Sequence, residues 1–240
     1  MREDVFIVAV TGAGISAESG IRTFRDSGGL WEEYAIEEVA TPEGWKKNPG
    51  LVLEFYNKRR RQLDEVVPNA AHLALAELEK HFPVCIITQN VDDLHERAGS
   101  GRILHLHGEL RKARGEKFPD QVIDIGSADI QLGDTCPRGS QLRPHIVWFG
   151  EEVPMINDAA EIVRRATHLL VIGTSLNVYP AAGLAFEAPY GAEKILIDPD
   201  GFDADLFHRF RHIREQAGKG VPQIVGELIE ALNRNQAEQA

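Results

Sequence analysis

The sequence predicts an α/β fold, a doubly wound parallel sheet with a smaller lobe inserted into it. Two observations carry this reading. Short apolar runs rich in β-branched residues recur at Val5 to Val10, Val84 to Ile87, Ile103 to Leu106, Leu169 to Ile172 and Ile195 to Ile197, with helical patterns between them. Such alternation implies βαβ units and a parallel sheet covered on both faces. Polar residues also gather at the carboxyl end of every run: Thr11-Gly12, Thr88-Gln89-Asn90, His107-Gly108, Gly173-Thr174-Ser175 and Asp198. Ligands bind at that edge of an open parallel sheet.

The first run ends in Thr11-Gly12-Ala13-Gly14-Ile15-Ser16-Ala17-Glu18, a G-x-G-x-x-A turn opening a helix. On a Rossmann-like reading, Gly12 and Gly14 supply positive φ angles and close backbone approach, and Ala17 lets the helix pack on the strand. A phosphate then sits at the helix N-terminus. The chain continues into Thr23-Phe24-Arg25-Asp26-Ser27-Gly28-Gly29-Leu30-Trp31, which reads as a mobile lid rather than a second strand. The intervening helices are marked by Leu73, Leu75 and Leu78, by Ile162 and Val163, and by Ile224, Val225, Leu228, Ile229 and Leu232. Residues 26–65 read as helical and residues 111–143 as polar without a clear period. Together they are assigned to the smaller lobe of a single domain spanning 1–240.

Composition narrows the function classes. With 240 residues, 43% of them hydrophobic, the chain can bury a full core. A formal charge of -11 argues against non-specific nucleic-acid binding and anionic membranes, while basic protein segments remain suitable partners. Two cysteines, Cys85 and Cys136, do not make a disulfide framework. No segment reaches the length of an apolar membrane span. The expectation is a cytoplasmic protein, with a monomer as a suitable state.

Two clusters carry chemistry. Gln89, Asn90, Asp92 and Asp93 bring amides and carboxylates to the rim of the glycine turn, suited to ribose hydroxyls and carboxamides or, alternatively, to capping a helix. His105 and His107 stand two apart, with His107 at a strand end beside Gly108. A histidine there can serve as a general base near neutral pH or as a structural group.

Read together, G-A-G-I-S-A-E-S-G-I with T-F-R-D, then T-Q-N-V-D-D-L-H, H-L-H-G, L-R-P-H-I-V-W-F-G-E and G-T-S resemble the sirtuin family over about Phe6 to Val225. Sirtuins are NAD-dependent protein lysine deacylases. The resemblance implies that NAD is the cofactor, that Gly12, Ala13, Gly14, Ala17, Glu18, Asp198 and Ala217 line the dinucleotide site, and that Phe24 and Arg25 close over it. Gln89, Asn90 and Asp92 would hold the nicotinamide ribose and carboxamide, and Gly173, Thr174 and Ser175 the adenosine side. His107 would be the general base, with Asn90 as the other catalytic residue. In the family's mechanism the acyl-lysine amide oxygen attacks C1′ of the nicotinamide ribose and nicotinamide leaves. A ribose hydroxyl, helped by the histidine, then attacks the resulting imidate, giving free lysine and O-acyl-ADP-ribose.

The peptide partner would add as a strand between Val147, Phe149, Gly150 and Glu151 on one side and Asn177, Val178 and Tyr179 on the other. Tyr56 and Arg59, three apart in Phe55-Tyr56-Asn57-Lys58-Arg59, fall on one helix face. Their Y-x-x-R pattern resembles the class III sirtuins, whose Tyr and Arg bind the distal carboxylate of succinyl or malonyl lysine, with Ala40 as the small residue that widens the pocket. Without the resemblance, Lys58 to Arg61 read as a solvated charged face. Other readings are a sirtuin-like mono-ADP-ribosyltransferase or NAD hydrolase, and a non-catalytic NAD or ADP-ribose sensor.

The chain departs from the family in two places. Most sirtuins hold a structural zinc with two C-x-x-C pairs, whereas here Gly115 and Gly139 stand about where cysteines are expected and Cys136 alone is kept. The expectation is no metal, with the lobe held by Phe118, Val122, Ile123, Ile125, Ile130 and Leu132. Asp198 also stands where the family usually has Asn.

Overall fold

The computed structural model describes residues 5–21, 34–174, 179–200 and 209–237. The expectations placed on Phe24, Arg25, Ser175, Asn177 and Val178, and on the lid from Thr23 to Trp31, lie outside these residues.

The main sheet contains β1 (Ile7–Thr11), β2 (Val84–Thr88), β3 (Ile103–His105), β7 (His168–Ile172), β8 (Glu193–Ile197) and β9 (Arg211–Ile213), in the spatial order β3-β2-β1-β7-β8-β9. Every pairing between these strands is parallel. β1 is buried at all five positions, as a strand covered on both faces must be. Its side chains alternate between two cores. Ile7 and Ala9 face α5 (Ala70–Leu78) and α9 (Ala217–Ala237), while Val8 and Val10 face α7 (Ile156–Val163) and α8 (Leu184–Glu187). Strand order reverses on either side of β1, so a crevice opens there at the carboxyl ends of the strands. β9 lies outside the apolar runs read from sequence, because Arg211 and His212 hide its short edge pattern.

The second sheet is antiparallel, in the order β5-β4-β6, from β4 (Gly108–Gly115), β5 (Val122–Asp124) and β6 (Leu142–Ile146). It packs with α2 (Ile36–Val39), α3 (Pro42–Lys47) and α4 (Pro49–Gln62) around Trp45, Phe55, Leu110, Ile130 and Trp148. Thr41-Pro42 and Asn48-Pro49 start the two longer helices. The Thr41 hydroxyl accepts from the Gly44 N–H at 3.0 Å and the Asn48 side chain from the Leu51 N–H at 3.1 Å, with proline in the first turn, where no N–H is needed.

Two expectations for this lobe are corrected. Val122 and Leu132 are exposed at 42% and 61% and do not hold it together, whereas Ile130 is buried. Nor is Lys58 to Arg61 solvated throughout: Lys58 and Arg61 are exposed, but Arg60 is fully buried. Its guanidinium donates to the Leu110 carbonyl at 2.6 Å and to the Asn57 side chain at 2.7 Å. Asn57 in turn pairs both main-chain groups of Ile130, at 2.9 and 3.0 Å. Helix α4 is thereby fastened to the small sheet through buried polar contacts, each stronger inside the protein than at its surface.

Gly115 and Cys136 are neighbours: a Cβ at Gly115 would stand 2.9 Å from the Cys136 Sγ. Two tight turns flank that contact, with Phe118 N–H donating to the Gly115 carbonyl and Gly139 N–H to the Cys136 carbonyl. The Arg138 guanidinium lies 3.6 Å from the centre of the Phe118 ring. Among the described residues no three His, Cys, Asp or Glu side chains are grouped as metal ligands, and no helix is long and apolar enough to cross a membrane.

Candidate active site

A cavity of about 690 Å³ runs from the crevice at β1 to the small lobe. Its floor is built by the close approach of two strand ends. The Gly14 N–H donates to the Gly173 carbonyl at 2.8 Å. A Cβ at Gly12 would meet Thr174 Cβ at 2.6 Å, and one at Gly14 would meet Gly173 Cα at 2.7 Å. Neither Gly12 nor Gly14 has a positive φ; the positive value, +57°, belongs to Gly173 across the contact. Glycine is required in the turn for close packing, and the left-handed conformation expected there is found on β7's end instead. Ala17 is likewise exposed and lines the cavity rather than packing on the strand. α1 (Gly14–Ala17) is one turn long and has little macrodipole, and its first N–H groups are engaged within the protein, Gly14 by the Gly173 carbonyl, Ile15 by Gly12 and Ser16 by Ala13.

Asn90 crosses from the end of β2 to this turn. Its amide donates to the Gly12 carbonyl and to Ser16 Oγ, both at 3.1 Å, while Ser16 donates to Asp92 at 3.0 Å. Asp92 also accepts from the Leu94 N–H at 3.2 Å, an aspartate turn just before α6 (Leu94–Ala98), whose N-cap Asp93 makes no side-chain cap bond. Burial raises the Asp92 pKa, against the two hydrogen bonds that favour its charged form. Gln89 donates to the Thr174 hydroxyl at 3.1 Å, tying β2 to β7. Ser16, the hinge of this network, was not among the residues singled out from sequence; a small hydroxyl between two glycine-turn positions carries no distinctive pattern.

The two histidines adopt opposite states. His107 Nδ1 faces the Gln89 carbonyl at 3.0 Å. A carbonyl only accepts, so Nδ1 carries the proton and Nε2 keeps its lone pair. Burial lowers the His107 pKa, partly offset by that hydrogen bond, so the imidazole is neutral near pH 7. His105 places Nδ1 at 3.1 Å from the Asn90 carbonyl and Nε2 at 2.7 Å from Glu96. Burial works against its charge, but the Glu96 carboxylate prevails and raises its pKa. His107 therefore has the state of a base and His105 that of a structural cation.

At the far end of the cavity stand Ala40, Tyr56 and Arg59. Tyr56 is 2% exposed, and burial pushes its pKa up to about 12 despite nearby Arg59. Burial also lowers Arg59, opposed by Tyr56 and Asp92; it remains a cation at neutral pH. The Phe149 N–H donates to the Ala40 carbonyl at 3.0 Å, which fixes one wall of the opening. Val147, Phe149, Gly150 and Glu151 also line the cavity. The Glu151 carboxylate, however, is engaged by Arg143 at 2.7 Å, by Arg114 at 3.3 Å and by the Trp148 N–H at 2.8 Å.

At the end of the cavity nearest β8, Gly173, Thr174, Asp198 and Ala217 line it with Ala13 and Glu18. The Glu18 carboxylate accepts from the Gly218 N–H at 2.6 Å and so caps the start of α9. Asp198 Oδ1 accepts from the Asp200 N–H at 2.9 Å, an aspartate turn that orders the loop after β8. The volume suits a large cofactor, and the donor set, two neutral amides, a neutral imidazole and carboxylate acceptors, suits sugar hydroxyls and a carboxamide. All the expected site residues within the described chain line this one cavity.

Comparison with known proteins agrees with this architecture. The Sir2 family profile matches residues 12–180. A relative from Helicobacter pylori strain J99, named NAD-dependent protein deacylase, is 58% identical over 228 residues, covering 95% of this chain and 97% of that protein. One of the same name from Bacteroides thetaiotaomicron is 53% identical, covering 94% of this chain and 98% of that protein. Among solved structures, an NAD complex of a Sir2 homologue aligns at TM-score 0.85 and 41% identity over 95% of this chain and 90% of its own. A Sir2 protein bound to a propionylated peptide aligns at 0.76 and 28% identity, over 92% of each chain. The chain belongs to the Sir2 family.

Proposed function

We propose that this chain is an NAD-dependent protein lysine deacylase that removes acetyl groups and also the dicarboxylic succinyl and malonyl groups, releasing nicotinamide and O-acyl-ADP-ribose. The general activity is supported by the names of its relatives and by the neutral His107 beside Asn90. The observation that carries the finer reading is the phenol of Tyr56 and the guanidinium of Arg59, one helical turn apart on the cavity that also holds His107. A half-buried cation beside a buried, protonated phenol suits an acyl chain ending in carboxylate.

NAD supplies the electrophilic sugar carbon and the hydroxyl that finally receives the acyl group. This chain's residues position the reactants and move the proton. Asn90, held by Gly12 and Ser16, and Gln89, held by Thr174, fix the amides that meet the nicotinamide ribose and carboxamide. His107 Nε2 takes the hydroxyl proton while the Gln89 carbonyl keeps the ring in the correct tautomer. Ala40 leaves room for the acyl chain, and the main chain of Val147 to Gly150 receives the peptide as an added strand. An amide oxygen is a weak nucleophile, so fixed orientation in an enclosed site supplies much of the rate.

Arg59→Met tests the acyl assignment. Removing one member of a buried charged hydrogen-bonded pair costs at least about 2 kcal/mol, so succinyl-peptide kcat/KM should fall about 30-fold or more, while acetyl-peptide kcat/KM falls far less. Equal losses for the two peptides would remove the dicarboxylic assignment and leave a simple deacetylase.

A further inference from the structure

Trp148 is 2% exposed. A buried indole N–H needs an acceptor, and here it donates to the Tyr56 hydroxyl at 3.1 Å. The indole is held from several sides. The Arg143 guanidinium lies 3.3 Å from the centre of its ring, the Trp45 ring lies 5.8 Å away, and Glu151, paired with Arg143, accepts from the Trp148 main-chain N–H.

The bond has a directional consequence. A phenolic hydrogen prefers the plane of its ring and has two settings there. A donor arriving at the oxygen excludes the setting that points back at it. The Tyr56 proton is then turned away from the indole, available to an acceptor in the cavity that Tyr56 and Arg59 line. Nothing comparable concerns an acetyl group, which ends in a methyl.

We propose that Trp148 is a positioning residue for acyl selectivity: its indole N–H occupies the Tyr56 oxygen, and the phenol thereby presents its proton to the distal carboxylate of the acyl chain. This rests on the dicarboxylic reading of Tyr56 and Arg59. Arg143 and Glu151 act one step further back, by holding the indole against the phenol.

The test is a cycle of Trp148→Phe and Tyr56→Phe, reading the ratio of succinyl to acetyl kcat/KM for matched peptides. A hydrogen bond to a charged group predicts that each single variant lowers the ratio about 10-fold, mostly through KM for the succinyl peptide. Once Tyr56→Phe is present, adding Trp148→Phe should change the ratio less than about twofold. If Trp148→Phe lowers the ratio equally in both backgrounds, or leaves it unchanged, Trp148 is only a wall of the pocket and the proposal is overturned while the carboxylate reading stands. If Tyr56→Phe and Arg59→Met both leave the ratio unchanged, the carboxylate reading fails and the proposal falls with it. The indole N–H proton resonance of Trp148 gives a readout with Trp148 intact. An upfield shift in Tyr56→Phe supports the bond, and an unmoved resonance overturns the proposal even if Trp148→Phe does not fold.

Discussion

His105 and His107 stand two residues apart and differ in state because their partners differ. Both Nδ1 atoms face a carbonyl, but His105 also meets the Glu96 carboxylate, whereas burial leaves His107 neutral. A base must be unprotonated to act, and the His107 pKa lies below the ordinary imidazole value of about 6.5. The acid limb of kcat/KM against pH should therefore have its midpoint below about 6.5. A midpoint above 7, or a limb unchanged in position when the residual activity of His107→Ala is followed, would contradict this role. The sequence alone located both histidines and could not assign their states, because tautomer and charge depend on Gln89, Asn90 and Glu96, which reach them only through the fold. Tyr56 and Arg59 were legible through the resemblance of Y-x-x-R to the class III pattern, their spacing alone placing them only on one helix face. Trp148 was visible only as one letter of the L-R-P-H-I-V-W-F-G-E motif, since nothing in the sequence points its N–H at Tyr56.

At the scale of elements, the strands of the main sheet were legible wherever they are buried on both faces, as in β1, β2 and β7. β4, β5 and β6 were not, because half-buried charged positions hide the apolar pattern: Arg111, Lys112 and Arg114 sit within one strand. The glycine turn was located correctly, while its physical reason proved to be contact with Gly173. The Glu96 and His105 pair joins α6 to β3, and its pH dependence follows from both partners. Glu96 is lowered chiefly by His105, against the effect of burial, so its contribution is present above its unfolded pKa near 4.3 and fades as pH falls. His105 is raised, so its contribution is full below its unfolded value of about 6.5 and is lost as pH rises through the folded one. Glu96 is 41% exposed at its side chain, which limits the gain. Glu96→Gln should lower Tm by about 2 °C near pH 6 and by much less near pH 9. A larger loss at pH 9 than at pH 6 would show that the pair does not stabilise as a charged contact.

At the scale of the molecule, one cavity joins three parts of the chain that are remote in sequence. The parallel sheet brings Gly12, Asn90, Gly173 and Asp198 to its carboxyl edge, β3 delivers His107 beside them, and α4 carries Tyr56 and Arg59 in from the small lobe. That lobe is fastened by Arg60 and Asn57 from within and by Arg143 and Glu151 beside the opening. The alternation of strands and helices placed the strand-end residues on one edge and the family resemblance added Tyr56 and Arg59, but the buried Arg60 was hidden in a run of four basic residues. The proposed activity requires the Gly12 to Asp198 end of the cavity and the Tyr56 and Arg59 end to serve one reaction. Mass spectrometry of a succinyl-lysine peptide incubated with the protein, with and without NAD, tests this most directly. Free lysine peptide and succinyl-ADP-ribose should appear in equal amounts, and only when NAD is present. NAD consumed with the peptide still succinylated would contradict the proposed activity.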